Sequence, residues 1–404
     1  MTKRAAIKVA LAAAALGFLL PGMFAAPKAL QAMPTFAQAT GLKCGACHTM
    51  VPLLNAYGRY IQRTAYAAIP RQILTKAVPV WLDESLVYDS SQSGQVSTRQ
   101  WDPGNFAIHG VGYALPDVTF HIQQWLAQGS ESGGLDTAWV AYSGLLHHDG
   151  HFFVGKNENI APSPYSQDSE IDGPSASGTL VGEHDWSATN DNRWGTKFNY
   201  VHGAIDAEAG YFLSGDDLNG LTDFNPGDKT FQWRLAYASE KKPVEVGVFG
   251  SVGTIPVSTG TDHYNSVAGY VQVDPDPKGL PGVLAIYSSG VDDNPGIGVN
   301  GSPLPATGSK GASLGVYQLF FHGNVLVSVR HDLNDSGPNG QILNGNSINV
   351  GFNAPGWQKI PFLQYVHGYV EANTGASSAW YGANGGPTYK GLIWVALPVS
   401  KARE

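Results

Sequence analysis

From Val78 onward, apolar and polar residues exchange places with a period of two, in short blocks separated by turn residues. Phe231-Gln232-Trp233-Arg234-Leu235-Ala236-Tyr237 shows the pattern most clearly, and Trp194 to Tyr200, Ile205 to Tyr211 and Val325 to His331 repeat it. Successive strand side chains point to opposite faces. Each block therefore predicts a strand with one aliphatic and aromatic face and one face of Lys, Asp, Glu, Arg, Gln or Ser. About sixteen strands are predicted, at 78–89, 105–114, 117–127, 135–146, 150–157, 192–202, 205–214, 229–239, 243–254, 264–274, 280–290, 312–322, 324–333, 346–354, 361–373 and 388–398. Most are near the ~10 residues that a tilted membrane strand needs.

The connections alternate in length. Short turns fall at Leu115–Pro116, His147–Asp149, His202–Ala204, Glu240–Lys242, Pro275–Gly279 and Gly323, and longer ones at 90–104, 158–191, 215–228, 291–311 and 374–387. An even strand number, with short turns at one rim and long loops at the other, is the pattern of bacterial outer-membrane barrels. Such barrels turn the apolar face to lipid and the polar face to the lumen. A soluble β-sandwich also alternates, but gives no reason for alternating loop lengths. The expected class is an all-β transmembrane barrel of about 16 antiparallel strands over residues 77–404. One feature departs from that class: Trp394-Val395-Ala396-Leu397-Pro398 is followed by the charged Lys401-Ala402-Arg403-Glu404, without a terminal aromatic residue.

Upstream the period changes. Across Val51 to Ala67, Leu54, Tyr57, Ile61 and Ala65 recur every three or four residues, which predicts one amphipathic helix. Residues 33–76 are some 44 residues, too few for an independent core. This segment is expected to plug the lumen and take its cover from the barrel. Residues 1–32 have the order of a secretory signal: Lys3, Arg4 and Lys8, then apolar Val9 to Leu20, then small residues with cleavage after Ala26 or Ala32. That apolar run is 12 residues, short of the ~20 that span a membrane as a helix.

Composition agrees. Of 404 residues, 14% are charged and 11% aromatic, with 10 Trp, 18 Tyr and 50 Gly. Soluble chains carry roughly a quarter charged residues. A formal charge of −8 and the lack of a basic block exclude a nucleic-acid binder. Two cysteines cannot build a disulfide framework.

Both cysteines fall in Cys44-Gly45-Ala46-Cys47-His48, which reads C-x-x-C-H. Two thiols at this spacing form thioether bonds to haem vinyl groups, and the adjacent His is placed to ligate the iron. A disulfide oxidoreductase would set C-x-x-C in a βαβ unit. A zinc site would want a second ligand pair, and a disulfide this short is strained. The motif predicts one covalently attached haem c, with Cys44, Cys47 and His48 as its site. The second axial ligand stays open between Met33, a barrel histidine, the N-terminal amine and water. Met50 lies two residues after His48, too close to reach the opposite haem face. His121, between Phe120 and Ile122, is expected to face the lumen; His109, His263, His322, His331 and His367 are not distinguished. His147, His148 and His151 read as a polar rim turn, with a metal cluster as the rival reading. No phosphate-binding, zinc-protease or nucleophile-elbow motif is present. The 158–191 and 215–228 loops carry Asp and Glu without Lys or Arg, so an anionic rim that concentrates cations is expected.

Met33-Pro34-Thr35-Phe36-Ala37, Thr40 to Thr49 and Pro52-Leu53-Leu54-Asn55-Ala56-Tyr57-Gly58-Arg59-Tyr60 together resemble the start of the fused monohaem cytochrome–porins, outer-membrane iron oxidases of iron-oxidising bacteria. The resemblance is specific over residues 33–66 and architectural over the barrel. It implies extracellular Fe(II) as electron donor and a periplasmic c-type cytochrome or cupredoxin as acceptor. It also implies residence in outer-membrane lipid, with the haem segment entering from the periplasmic side. Rival readings are the same conduit run outward as a terminal reductase, a solute porin with a redox-sensing haem, and a secreted soluble β-protein carrying haem.

Overall fold

The computed structural model describes residues 34–42, 44–50, 53–76, 79–93, 96–102, 105–128, 131–157, 160, 192–213, 229–257, 260–276, 278–293, 306–335, 342–353, 365–375 and 385–398. The signal segment 1–32, Met33, nearly all of the 158–191 and 215–228 loops, and the tail 401–404 lie outside them.

The chain first forms α1 (Pro34–Thr40), α2 (Ala56–Arg63) and α3 (Arg71–Leu74). The strands that follow are β1 (Val80–Ser93), β2 (Val96–Asp102, resuming at Asn105–Leu115), β3 (Val118–Gln128), β4 (Glu131–Ser132, resuming at Leu135–Leu145), β5 (Gly150–Asn157), β6 (Arg193–His202), β7 (Ile205–Phe212) and β8 (Lys229–Ala238). They continue with β9 (Val244–Val257), β10 (Gly260–Val273), β11 (Gly282–Asp292), β12 (Thr307–Phe320), β13 (Val325–Asp335), β14 (Ile342–Asn353), β15 (Tyr365–Gly375) and β16 (Gly385–Pro398). Each strand pairs antiparallel with the next, and β16 pairs with β1 from Pro398↔Trp81 to Thr388↔Ser91, so the sixteen staves close on themselves. Closure satisfies the backbone of every stave from its neighbours and leaves no sheet edge. The last stave forms without a terminal aromatic residue.

Which face looks inward is now decided. Along β8, Phe231 and Leu235 are 42% and 50% exposed, while Gln232 and Arg234 are 0% and 4%. The same holds around the ring: Val246, Val248, Val267, Tyr287, Leu314, Val329 and Ile348 face out, while Asp206, Glu245, Ser328, Asn349 and Glu371 are buried inside. A water-soluble sandwich would reverse this order. Among the described residues no helix is long and apolar enough to cross a membrane.

Two expectations are corrected. The connection 90–104 is mostly strand: β1 runs to Ser93 and β2 begins at Val96, paired Ser93↔Val96. Ser90 to Ser93 and Val96 to Gln100 hold mainly small or polar residues. Beyond an apolar band a strand needs no apolar face, so the period-two signal fades while the pairing continues. The strands likewise run on to a tight junction at Val257↔Gly260. The helix expected over Val51 to Ala67 is only α2. Leu53–Leu54 is strand, Asn55 caps α2, and Ala65 and Tyr66 adopt φ of 52° and 65°, which stops it.

The inner segment docks on two walls. Phe36, Ile61, Ala65, Tyr66, Ile69 and Leu74 pack against Trp81, Val111, Trp139, Ala141 and Phe153 of β1 to β5. Met50 and Leu53 join Phe249, Tyr270, Leu284, Tyr317 and Leu326 of β9 to β13. These partners sit on the inward face, so the segment lies within the ring.

Val248→Arg tests the outward face. In lipid it should cost roughly 2–4 kcal/mol, seen as a smaller heat-modifiable fraction on cold gel electrophoresis after refolding. A change within about 0.5 kcal/mol, usual for a water-exposed substitution, would contradict a lipid contact.

Candidate functional site

The C-x-x-C-H motif folds as a 3-10 turn, Cys44–Ala46, leading into a hairpin of His48–Met50 and Leu53–Leu54. Asn55 binds it to the helix that follows. Its N–H donates to the Cys47 carbonyl at 2.9 Å, and its Nδ2 donates to the carbonyls of Gly45 at 3.2 Å and Ala46 at 3.1 Å. Its Oδ1 accepts from the Gly58 N–H at 3.0 Å, capping α2. Gly58 is required by close approach: a Cβ there would lie 2.0 Å from the Cys47 carbonyl oxygen. Cys47 is buried and free, and burial pushes its thiol up to about 11.

The hairpin borders a cavity of about 440 Å³. The inner segment lines it with Gly45, His48, Met50 and Tyr57, and the barrel adds Glu240 to Pro243, Asp274 to Asp276, His322, Gly323 and Asn353. The barrel residues belong to the short connections β8–β9, β10–β11 and β12–β13 and to the end of β14. The cavity therefore stands at the short-turn rim of the lumen, not midway between rims. Burial raises the Tyr57 phenol; Asn55, which also lines the cavity, is bonded to the Cys47 carbonyl, so Cys47 is near this lining. The cavity is bordered by the motif histidine, with the second motif cysteine buried close by, so His48 and Cys47 are the donors there that suit a haem c.

A buried ionic cluster fixes the hairpin in place. Arg59 Nε meets Glu245 Oε2 at 3.0 Å, and its Nη1 meets Asp274 Oδ1 at 2.9 Å. Arg63 reaches Asp206 at 2.9 Å and Glu245 at 2.6 Å. Arg234 from β8 pairs with Asp206, Glu208 and Glu245. Tyr270 donates to Glu245 at 2.8 Å, and Asp274 also accepts the Ala56 N–H at 2.9 Å. Arg59 and Arg63 are four apart and share one face of α2. Strand alternation brings Asp206 and Glu208 to the inner face of β7.

Of the other singled-out histidines, His322 borders the same cavity as His48, and the following lie elsewhere. His121 faces inward as expected, with Nδ1 3.3 Å from the Tyr66 hydroxyl and its ring near Trp139. His109 stacks on Trp81. His148 Nδ1 sits 3.0 Å from the Ser143 carbonyl, and His331 pairs with Asn346 on an exposed surface. Among the described residues no group of three His, Cys, Asp or Glu is gathered as a metal cluster. The expected anionic loops lie outside the described residues. The sequence reading did not assign roles to Asn55, Arg59, Arg63, Glu245 and Asp274. The available signal was a pair of arginines at helical spacing upstream of inward-facing acids on β7.

No family model and no curated protein matches the chain in sequence. Among solved structures it is similar to an anion-selective porin from Comamonas acidovorans, at 12% identity and TM-score 0.54, covering 79% of this chain and 98% of that one. It is similar to Salmonella typhi OmpF in complex with daunomycin, at 12% identity and TM-score 0.52, covering 79% and 97%. It also resembles Pseudomonas putida OprB, at 11% identity and TM-score 0.51, covering 82% and 96%. The fold defines the class: a porin-like β-barrel, here with an inner segment that carries C-x-x-C-H.

Arg63→Ala tests the anchor. It leaves Glu245 and Asp206 short of a partner inside the ring, a change worth roughly 3–5 kcal/mol. Limited proteolysis of refolded protein should then cut the 34–76 segment while the barrel stays resistant. Unchanged protection would contradict the anchoring role.

Proposed function

We propose that the chain is an outer-membrane electron conduit. It oxidises extracellular Fe(II) by outer-sphere transfer to a single c-type haem and passes electrons to a periplasmic c-type cytochrome or cupredoxin. The observation that carries this reading is the C-x-x-C-H hairpin inside a ring whose outward face is apolar, with His48 on a cavity walled by the ring's own turns. The likeness to porins supports a lipid-embedded barrel.

Haem c, when bound, supplies a one-electron iron couple. Cys44 and Cys47 would hold it covalently, and His48 would ligate the iron. Asn55 keeps the motif carbonyls in place, and the Arg59 and Arg63 ion pairs keep the hairpin against the wall. Axial ligation, burial and nearby charge set the potential of such a group. Short turns lie on the periplasmic side of bacterial barrels, so a soluble acceptor would meet the cavity rim directly. The apolar band is ~25 Å tall, so a donor at the far rim must give up its electron from within the lumen. Electron transfer of this kind needs no general acid or base.

A second reading is a solute porin whose haem senses redox state, favoured by the likeness to an anion-selective porin. Single-channel conductance in planar bilayers separates the two. The outward-running reductase uses the same residues, and the haem potential decides the direction.

Anaerobic addition of Fe(II) to the purified, oxidised protein should raise a reduced c-type α-band. Cys47→Ala should lose covalent haem and the band. No reduction at any acidic or neutral pH would overturn the iron reading.

A further inference from the structure

We propose that His322 is the second axial ligand of the haem iron, opposite His48. This assignment rests on the haem reading above. Axial ligands must approach a flat ring from its two faces, so they must come from different walls of the cavity. The lining divides in this way. His48 comes from the inner hairpin, and His322 comes from the turn Phe321–Gly323 between β12 and β13. They are the two histidines that border this cavity among the described residues.

The other donors at the cavity are worse placed. Met50 shares the short strand of His48, two residues on, and is buried in the apolar cluster. Tyr57 also comes from the inner segment, as His48 does. Lys241 is turned to Glu240 at 3.5 Å, and Lys242 to the Tyr237 hydroxyl at 3.4 Å. His322 is exposed at the cavity. Its turn is pinned: Asn324 Nδ2 donates to the Phe321 carbonyl at 2.8 Å, and the Asn353 N–H donates to the Asn324 carbonyl at 2.9 Å. The backbone shape is not what singles it out. His147 holds the same left-handed place, φ 60° against 59°, in the turn Leu146–His148, yet it does not border the cavity.

Two imidazoles give a six-coordinate iron with no open position. Such a site exchanges electrons without binding oxygen or substrate at the metal. A ligand from the wall would also bind the inner segment to the barrel through the iron, coupling metal ligation to docking.

The test uses full-length holoprotein in detergent. Haem staining of the band on denaturing gels, with a reduced c-type α-band in solution, first establishes covalent haem. Low-temperature EPR of the ferric protein should then show a low-spin signal. His322→Asn, a residue that tolerates left-handed φ, should lose that signal and turn high-spin, and added imidazole should restore it. His147→Asn should leave it unchanged, and heat-modifiable mobility should show both barrels folded. An unchanged low-spin signal in H322N, or a high-spin wild type, overturns the His322 assignment while leaving the haem reading standing. Absence of covalent haem in the wild type overturns both.

Discussion

Three guanidinium groups facing four carboxylates inside the ring are what the site depends on. The inner segment has too few residues to hold a shape alone, and α2 has only eight residues, short for a helix to persist in water. Its order must be borrowed from the wall. Arg59 and Arg63 do this through planar, multi-donor contacts that fix orientation as well as position. The dependence runs both ways. Asp206, Glu208 and Glu245 are buried on the inner face; without cations opposite them, burial of their charge would be strongly unfavourable. Barrel and plug therefore make each other tenable, with Arg234 as the wall's own share of the cation count.

Apolar contact sets the other wall. Tyr66 stacks on Trp139 with centroids 5.4 Å apart, and Thr119 donates to the Ala65 carbonyl at 2.7 Å. One side of the segment is thus pressed to β1–β5 by burial, and the other is tied to β7–β10 by charge. Between these two constraints the hairpin has little freedom to turn, and His48 is held at the cavity rather than merely tethered near it.

The barrel was legible in the chain because a strand's side-chain period is two and each stave must satisfy it separately. Phe231 to Tyr237 announces its stave from seven residues alone. The pattern does not say which face is inside, since apolar-in and apolar-out strands read alike; the burial of the polar face within the closed ring decided that. It also failed where strands outrun the apolar band, as at Ser90 to Ser93. The motif was legible because its chemistry is local. The anchor was not, because Arg59 and Glu245 are 186 residues apart and neither is unusual in its own surroundings. Helical spacing was read from Leu54, Tyr57, Ile61 and Ala65, so the charged residues on the buried face were passed over; Leu54 and Tyr57 are half-buried, while Arg59 is 2% exposed.

That distance in sequence has a chemical meaning. A cofactor attached to a segment this small would be half open to water, and its potential would be set largely by solvent. Here the missing walls come from turns that exist to connect barrel strands. Short turns between paired strands have few conformations, so residues such as Asp274 and His322 are presented from a rigid rim. The rim's position then constrains how partners on each side would reach the group. Under the proposed function, a group housed among these turns would meet soluble carriers by surface contact. The opposite side of the membrane reaches it only through the lumen, whose inner face is lined with Arg, Asp, Glu, Ser and Asn rather than with apolar side chains. Under the proposed function, a donor reaching the haem through the lumen would have to be small and polar enough to enter that lining, and a hydrated metal ion meets both conditions.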